Sequence, residues 1–406
     1  MTSPVTRRQV LAGGAGAAIA AAVGSALPSR AWASPAPGPA VSHGAGASPV
    51  LVVVSLYGGN DGLNMVIPFD PAYMAARPTL GYKPTEALSI SSEFGLHPNM
   101  AGLANAFASG TLAIVQGVCY PAPDHSHTSS MTKWQSGDPT GTDPSGWLGR
   151  VLDQLGDPTL GISIGSNLPL ILSGRSIRGL CVPSGGLSVP LDRNAANAYA
   201  YMAAAGGRPG VLGSIGGTDN QLVGASGEIA RILGSAPKVS VAGGSLGGQL
   251  AVVSRLIQGG APTLMYEVSL GGFDTHVNEK NNHAALMGDL DRALTGFMAS
   301  LGPARSRVVA MTYSEFGRRV AQNASSGTDH GTSAPVLVLG DRVIGGFYGQ
   351  APSLSNLDSG DLAVTTDYRQ VYATAIGSHL GIDPAPALGG HFDDLGLIGA
   401  KPPAAS

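Results

Sequence analysis

Pro49-Val50-Leu51-Val52-Val53-Val54-Ser55-Leu56 runs into Tyr57-Gly58-Gly59-Asn60-Asp61-Gly62, a nearly unbroken apolar stretch that stops in a glycine-rich turn carrying an acid. A strand that is apolar at successive positions, without alternation, is buried on both faces, as in a parallel sheet covered by helices. Four further runs repeat the pattern: Thr111 to Val115, Thr263 to Leu270, Arg307 to Thr312 and Pro335 to Leu339. Between them lie helical patterns. After Glu279, the residues His283, Leu286, Leu290, Leu294 and Phe297 recur at helical spacing and form one apolar stripe, and Gly146 to Leu155 and Thr366 to Leu380 are shorter candidates. Strands alternating with helices predict an α/β fold: a doubly wound, mostly parallel sheet flanked by helices.

Outward from that core, the amino terminus reads as an export signal. Arg7 and Arg8 precede an apolar Ala/Gly stretch from Val10 to about Leu27, and Ala31-Trp32-Ala33 supplies small residues around a cleavage site, so residues 1–33 are expected to be a twin-arginine leader removed after Ala33. Pro28 and the scarcity of Leu and Ile argue against a lasting membrane span. Residues 34–48, rich in Pro, Ala, Gly and Ser, are expected to be a flexible linker, with one folded domain over 49–400. The Ala/Gly/Ser-rich region 190–260 is expected to be an insertion or cap. Three of the 23 basic residues and none of the acidic ones lie in the leader, so the mature chain carries 20 basic against 26 acidic residues, which excludes a basic footprint for nucleic acid. Cys119 and Cys181 are the only cysteines, too far apart in sequence for a zinc motif; a disulfide and two buried thiols both remain open.

In open α/β sheets, ligands collect beyond the carboxyl ends of the strands. This chain puts its acids and histidines there. Asp61 follows the first strand, Asp274 and His276 follow the run ending at Leu270, Glu315 follows the run ending at Thr312, and Asp329-His330 precede the last. Carboxylate and imidazole donors suit a divalent metal such as zinc, manganese, magnesium or calcium. Ser126 and Thr128, in His125-Ser126-His127-Thr128-Ser129-Ser130, are the candidate nucleophiles, and the imidazoles beside them could ligate a metal or shuttle a proton. The plainer alternatives stand beside these. Asp61 fits a turn residue, Glu315 a surface partner of Arg318 or Arg319, His283 a core histidine, and Ser126 a helix cap.

At these motifs the sequence resembles a known family. Gly58 to Asn64, Ser126-His127-Thr128 before Trp134-Gln135-Ser136-Gly137, Gly146 to Arg150, Phe273-Asp274-Thr275-His276, Ser314 to Arg318 and Gly327 to Gly331 are together similar to domain-of-unknown-function family 1501, from about Val50 to Ile382. That family is grouped with the alkaline phosphatase and sulfatase superfamily. The resemblance implies an alkaline phosphatase-like fold and metal-assisted hydrolysis of phosphate or sulfate esters, with Asp61 as a first-strand ligand and Ser126 or Thr128 as nucleophile. It also implies departures. An Asp-x-x-x-His motif starting at Asp274 meets Asn278 where the histidine should be, so His276 would substitute. If Ser314-Glu315-Phe316 occupies the Asp-His position, Phe316 replaces a ligand and His330 is the last metal histidine; Asp329-His330 is the competing register.

The expectation is therefore an exported metal-dependent ester hydrolase that meets the twin-arginine translocase and a small-molecule or polymer ester. Its metal would be held by Asp61, Asp274, His276, Glu315, Asp329 and His330, with Arg318 neutralising equatorial oxygens. The rival is a non-catalytic envelope or secreted binding protein that keeps a degenerate hydrolase fold. An oxidoreductase is disfavoured, since no Gly-x-Gly-x-x-Gly opens a helix after the first strand.

Overall fold

The structure is a computed structural model that describes residues 48–184 and 227–399. The leader, all but the last residue of the linker, and residues 190–226 of the expected insertion lie outside the described residues.

The opening run folds as predicted, into strand β1 (Val50–Tyr57), and lies inside the largest sheet. β2 (Val66–Pro68), β3 (Leu88–Ser89) and β4 (Phe94–Leu96) make a small separate sheet. The large sheet takes β5 (Leu112–Cys119), β6 (Gly161–Ile164), β7 (Leu180–Val182), β8 (Met265–Gly271) and β9 (Val308–Ser314). β10 (Arg318–Gln322) and β11 (Thr328–His330) form a two-stranded ribbon, and β12 (Ala334–Gly340), β13 (Gly346–Tyr348) and β14 (Thr366–Asp367) complete the large sheet. Its order is β13-β5-β12-β9-β1-β8-β6-β7, with β14 also on β5. β1 is parallel to β8 and β9, and β6 to β7 and β8. The fifth apolar run, β12, is antiparallel to both of its neighbours, β5 and β9, so the sheet is mostly but not wholly parallel.

Alternate residues of β1 face two apolar layers. Val50, Val52, Val54 and Leu56 pack with residues of the helices Ala101–Ala108, Gly244–Gln258 and Glu279–Ser300. Leu51 and Val53 pack with those of His127–Ser136, Trp147–Leu155 and Tyr368–Thr374. Each such side chain, removed from water, contributes about 1.5–3 kcal/mol, which is why every residue of the strand up to Leu56 can be apolar or small. On the longest helix, Met287 is buried where the spacing had pointed to Leu286, which is half-buried. Leu246, Leu250, Val253 and Leu256 bury one side of Gly244–Gln258 against the sheet, so this part of the expected insertion belongs to the core rather than to a cap. Cys119 and Cys181 are free thiols on β5 and β7, towards opposite edges of the sheet.

β1, β8 and β9 end on one rim. The turns beyond them approach too closely for ordinary side chains. Gly58 has φ +121°, and a Cβ there would sit 2.4 Å from the backbone nitrogen of Asp274. Glycine is therefore required for the first-strand turn to touch the turn after β8.

Candidate metal centre

Three segments deliver four side chains to one place above that rim. His127 comes from the first turn of its helix, Asp274 and His276 from the turn after β8, and His330 from the end of β11, which the ribbon folds back beside Arg318. Donor atoms of His127, Asp274 and His330 lie within 4.8 Å of one another, a group that could hold a metal ion. His276 joins them. Its Nε2 is 3.1 Å from Asp274 Oδ1 and 2.9 Å from His330 Nε2. His330 Nε2 is 3.2 Å from the same carboxylate oxygen, and His127 Nε2 is 3.5 Å from the other.

The far nitrogen of every ring is held by an oxygen. His330 Nδ1 lies 2.8 Å from the carbonyl oxygen of His125, which only accepts, so Nδ1 carries the proton. His127 Nδ1 lies 2.9 Å from Glu315 Oε1, and His276 Nδ1 lies 3.3 Å from Asp329 Oδ1. Donation from Nδ1 to these oxygens leaves Nε2 of each ring, when neutral, as a bare lone pair turned toward the Asp274 carboxylate. Oxygen acceptors that fix the tautomer in this way are the usual supports of metal-binding histidines. Two consequences test the fit. Two Nε2 lone pairs 2.9 Å apart, on His276 and His330, repel unless a proton or a cation lies in the group. His127 Nε2 is buried and has no hydrogen-bond partner. The residues present therefore fit a divalent cation.

Burial raises Asp274, but the hydrogen bond and charge of Arg318 outweigh it and bring its carboxyl down to about 2. His330 is lowered, chiefly by desolvation, which outweighs its bond to the His125 carbonyl, so the neutral ring that ligation needs is favoured. Asp329 is lowered first by its hydrogen bond from Asn323. Phe316 closes one side of the cluster, its ring 4.9 Å from that of His127 and 4.5 Å from that of His330. Its ring is tilted by 41° to that of His127 and by 36° to that of His330.

Several expected roles need correction. Asp61 does not reach the cluster. It is fully buried and paired with Arg77 at 2.5 Å, inside a second polar group below the rim. Glu315 and Asp329 stand behind the cluster and orient His127 and His276; the Glu315 oxygen also accepts from Gly58 N at 2.8 Å. Arg318 is buried and committed to the protein, donating to Gly59 O, Thr328 O, Phe273 O and Asp274 Oδ1, so it positions Asp274 and the β1 turn instead of facing solvent oxygens. Ser126 is the helix cap, its Oγ accepting from Ser129 N at 3.4 Å, and Thr128 is exposed on the same helix. Among the described residues no hydroxyl side chain bonds to Asp274, His276 or His330. His127, which lies between the two expected nucleophiles, is one of the imidazoles read as able to ligate a metal or shuttle a proton, but it stood outside the expected ligand set. The signal for it was there: a histidine in the first turn of a helix that follows a core strand.

Beneath the rim, Arg77 also donates to Asn64 Oδ1, Val320 O and Arg319 O. Glu279 accepts from Thr328 Oγ1 at 2.6 Å, and His283 Nε2 meets Asn60 Oδ1 at 2.9 Å. Burial first, then the Asp61 charge, pushes Glu279 up to about 9, so it keeps a proton at neutral pH that can bridge to Asp61. Burial also raises Asp61, but Arg77 and then Glu279 hold it well below the usual carboxylate range. His283, lowered by burial to about 4, is neutral.

Residues 218–395, which include Asp274, His276, Glu315 and His330, match the family described as "Protein of unknown function (DUF1501)". This is the family that the motifs resemble. No curated protein matches the chain. Among solved structures, the chain is similar to the C-terminal periplasmic domain of EcEptC from Escherichia coli in complex with zinc (10% identity, 73% of this chain and 74% of that one, TM-score 0.39). It is similar also to a protein in the alkaline phosphatase superfamily from Vibrio parahaemolyticus (11%, 84% and 69%, TM-score 0.41) and to the PsFucS1 sulfatase from Pseudoalteromonas sp. (11%, 87% and 71%, TM-score 0.40). No helix among the described residues is long and apolar enough to cross a membrane.

Proposed function

We propose that this chain is an exported, metal-dependent hydrolase of phosphate or sulfate esters, sent out by the twin-arginine translocase and cleaved after Ala33. The observation that carries the reading is the convergence of three oxygen-braced imidazoles on one carboxylate, with His276 Nε2 and His330 Nε2 only 2.9 Å apart. His127, Asp274, His276 and His330 would hold the ion, a nitrogen-rich set that favours zinc over magnesium or calcium. When bound there, a divalent ion supplies Lewis acidity toward an ester oxygen.

The chain's own residues do the rest. The Asp274 and His276 side chains are 49% and 40% exposed, so the cluster is open to an ester from solvent. Glu315 and Asp329 fix two rings, and Arg318 fixes the carboxylate. Ser126 and Thr128 make no bond to the cluster, so water from the open side is the attacking group in this reading. The same observation favours a second reading, a protein that holds the metal and binds a ligand without chemistry.

One experiment separates them. The protein purified from its native host is analysed for metals and assayed with aryl phosphates and aryl sulfates before and after chelation. Metal near one equivalent with chelator-sensitive turnover supports the hydrolase. Metal without turnover leaves the binding protein, and a folded protein with neither removes both. Amino-terminal sequencing of the exported form should begin at Ser34.

A further inference from the structure

A cavity of about 450 Å³ lies in the same structure, lined by none of the four cluster residues. Leu63, Val66, Phe69, Phe94, Pro335 and Leu354 give it an apolar wall, and its size is that of small-molecule sites. A β-bulge shapes it. Val336 of β12 faces Val115, yet Ala334 faces Val118, so β5 carries one residue more than its partner across Gln116-Gly117. Gly117 absorbs the extra residue at φ +64°, where a Cβ would fall 1.8 Å from Thr365 Oγ1. Bulges re-aim side chains, and they do so often beside binding sites.

The residue re-aimed is Gln116. It is only 6% exposed, it lines the cavity, and its carboxamide has no hydrogen-bond partner among the described residues. Its amide atoms are not sealed from solvent, so they are open to the cavity, where water or a polar ligand group can bond to them. The charged residues of the lining are Asp70 and Glu93, both exposed and so at its mouth. Neither is in an ion pair among the described residues, and no basic residue lines the wall. An anionic ester therefore finds no partner here, which separates this cavity from the metal cluster.

We propose that the cavity binds an aromatic or branched apolar amine that also carries a hydroxyl or amide. Its ammonium faces Asp70 and Glu93, its hydrocarbon body lies on the apolar wall, and its polar group bonds to Gln116. This does not depend on the hydrolase reading.

Tyramine, which combines ring, ammonium and phenol hydroxyl, is a probe of this chemistry, with phenethylamine lacking the hydroxyl and 4-hydroxyphenylacetate reversing the charge. Titrations of the mature protein followed by calorimetry or ligand-observed NMR should rank tyramine about tenfold tighter than the acid and about fivefold tighter than phenethylamine. Gln116→Leu should abolish the preference for the hydroxyl while keeping that for the amine. Asp70→Asn with Glu93→Gln, which preserves the helix cap at residue 70, should abolish the preference for the amine. Leu354→Trp, in a loop outside the large sheet, should block all three probes even if Gln116→Leu fails to fold. His330→Ala should leave tyramine binding unchanged. Tighter binding of the acid, an undiminished hydroxyl preference in Gln116→Leu, or no saturable tyramine binding at millimolar concentration would overturn the proposal.

Discussion

Two polar groups sit at the carboxyl ends of the same strands, and they are built in opposite ways. The lower one, Asp61, Arg77, Glu279 and His283, is buried, and its charges are matched inside the protein: one guanidinium bonds to Asp61, Asn64 and two carbonyls. The upper one, His127, Asp274, His276 and His330, is partly open. Its imidazoles are braced from behind while their inner nitrogens face a shared space. A closed group holds the rim turns together. An open group with excess lone pairs needs something from outside. Residue type alone does not distinguish them, since an aspartate after a strand begins both and an arginine reaches each, Arg77 to Asp61 and Arg318 to Asp274; what differs is that Asp61 is sealed in while Asp274 stays half exposed and faces three imidazoles.

The contrast breaks most visibly at Arg77. Arg77→Met leaves Asp61 charged, buried and unpaired, and removing one partner of such a pair costs about 3–5 kcal/mol. Urea unfolding should show that loss, or the variant should not accumulate at all. Asp274→Asn, in the open group, should change stability by less than about 1 kcal/mol, as for partly exposed pairs. Equal costs in the two variants would mean that the groups are not different in kind.

The next largest effect is on the ion. Zinc at a hundredfold excess over its dissociation constant should stabilise the wild type by about 2.7 kcal/mol through mass action, read as a rise in Tm. His330→Ala should remove most of this rise and Asp61→Asn little of it, after allowance for the latter's lower starting stability. A zinc-induced shift lost in Asp61→Asn and kept in His330→Ala would invert the assignment.

Smaller still is the effect of the braces. Glu315→Gln keeps the shape but gives His127 a neutral acceptor, and Asp329→Asn does the same for His276. Each should weaken zinc binding about 10–100-fold, with the fold intact by circular dichroism. A full-strength site in both variants would show that the imidazoles are oriented by packing on Phe316 rather than by the carboxylates.

What the sequence disclosed, and what it hid, follows from the range of the forces involved. The five apolar runs and the main helical stripe are local patterns, and they became β1, β5, β8, β9, β12 and the helix Glu279–Ser300. Asp274, His276 and His330 were legible because motif and strand position agreed. The short strands β6 and β7 carried too few residues to show a period. The antiparallel setting of β12 depends on where its neighbours lie in the sheet, which no window of sequence contains. Asp61 was misplaced for the same reason. Its partner stands 16 residues away, in Arg77, a residue whose local surroundings look like an ordinary helix end. Arg318 likewise reads as a free cation until its acceptors, all backbone carbonyls but one, are seen.

The finest test of the closed group is its proton. Glu279 in the folded chain keeps a proton up to about pH 9, whereas the unfolded chain releases it in the ordinary carboxyl range. An acid whose folded value is raised lowers stability as pH rises through that window, because the unfolded state binds fewer protons there. Glu279→Gln replaces the acid with an amide that can still donate to Asp61 and accept from Thr328 Oγ1. The variant should match the wild type near pH 4, below the unfolded carboxyl range, and melt a few degrees higher at pH 8, so that the two Tm curves diverge as pH rises. Parallel curves would mean that Glu279 ionises in the folded state, in which case the lower group carries two buried carboxylates on one arginine and is not charge-matched after all.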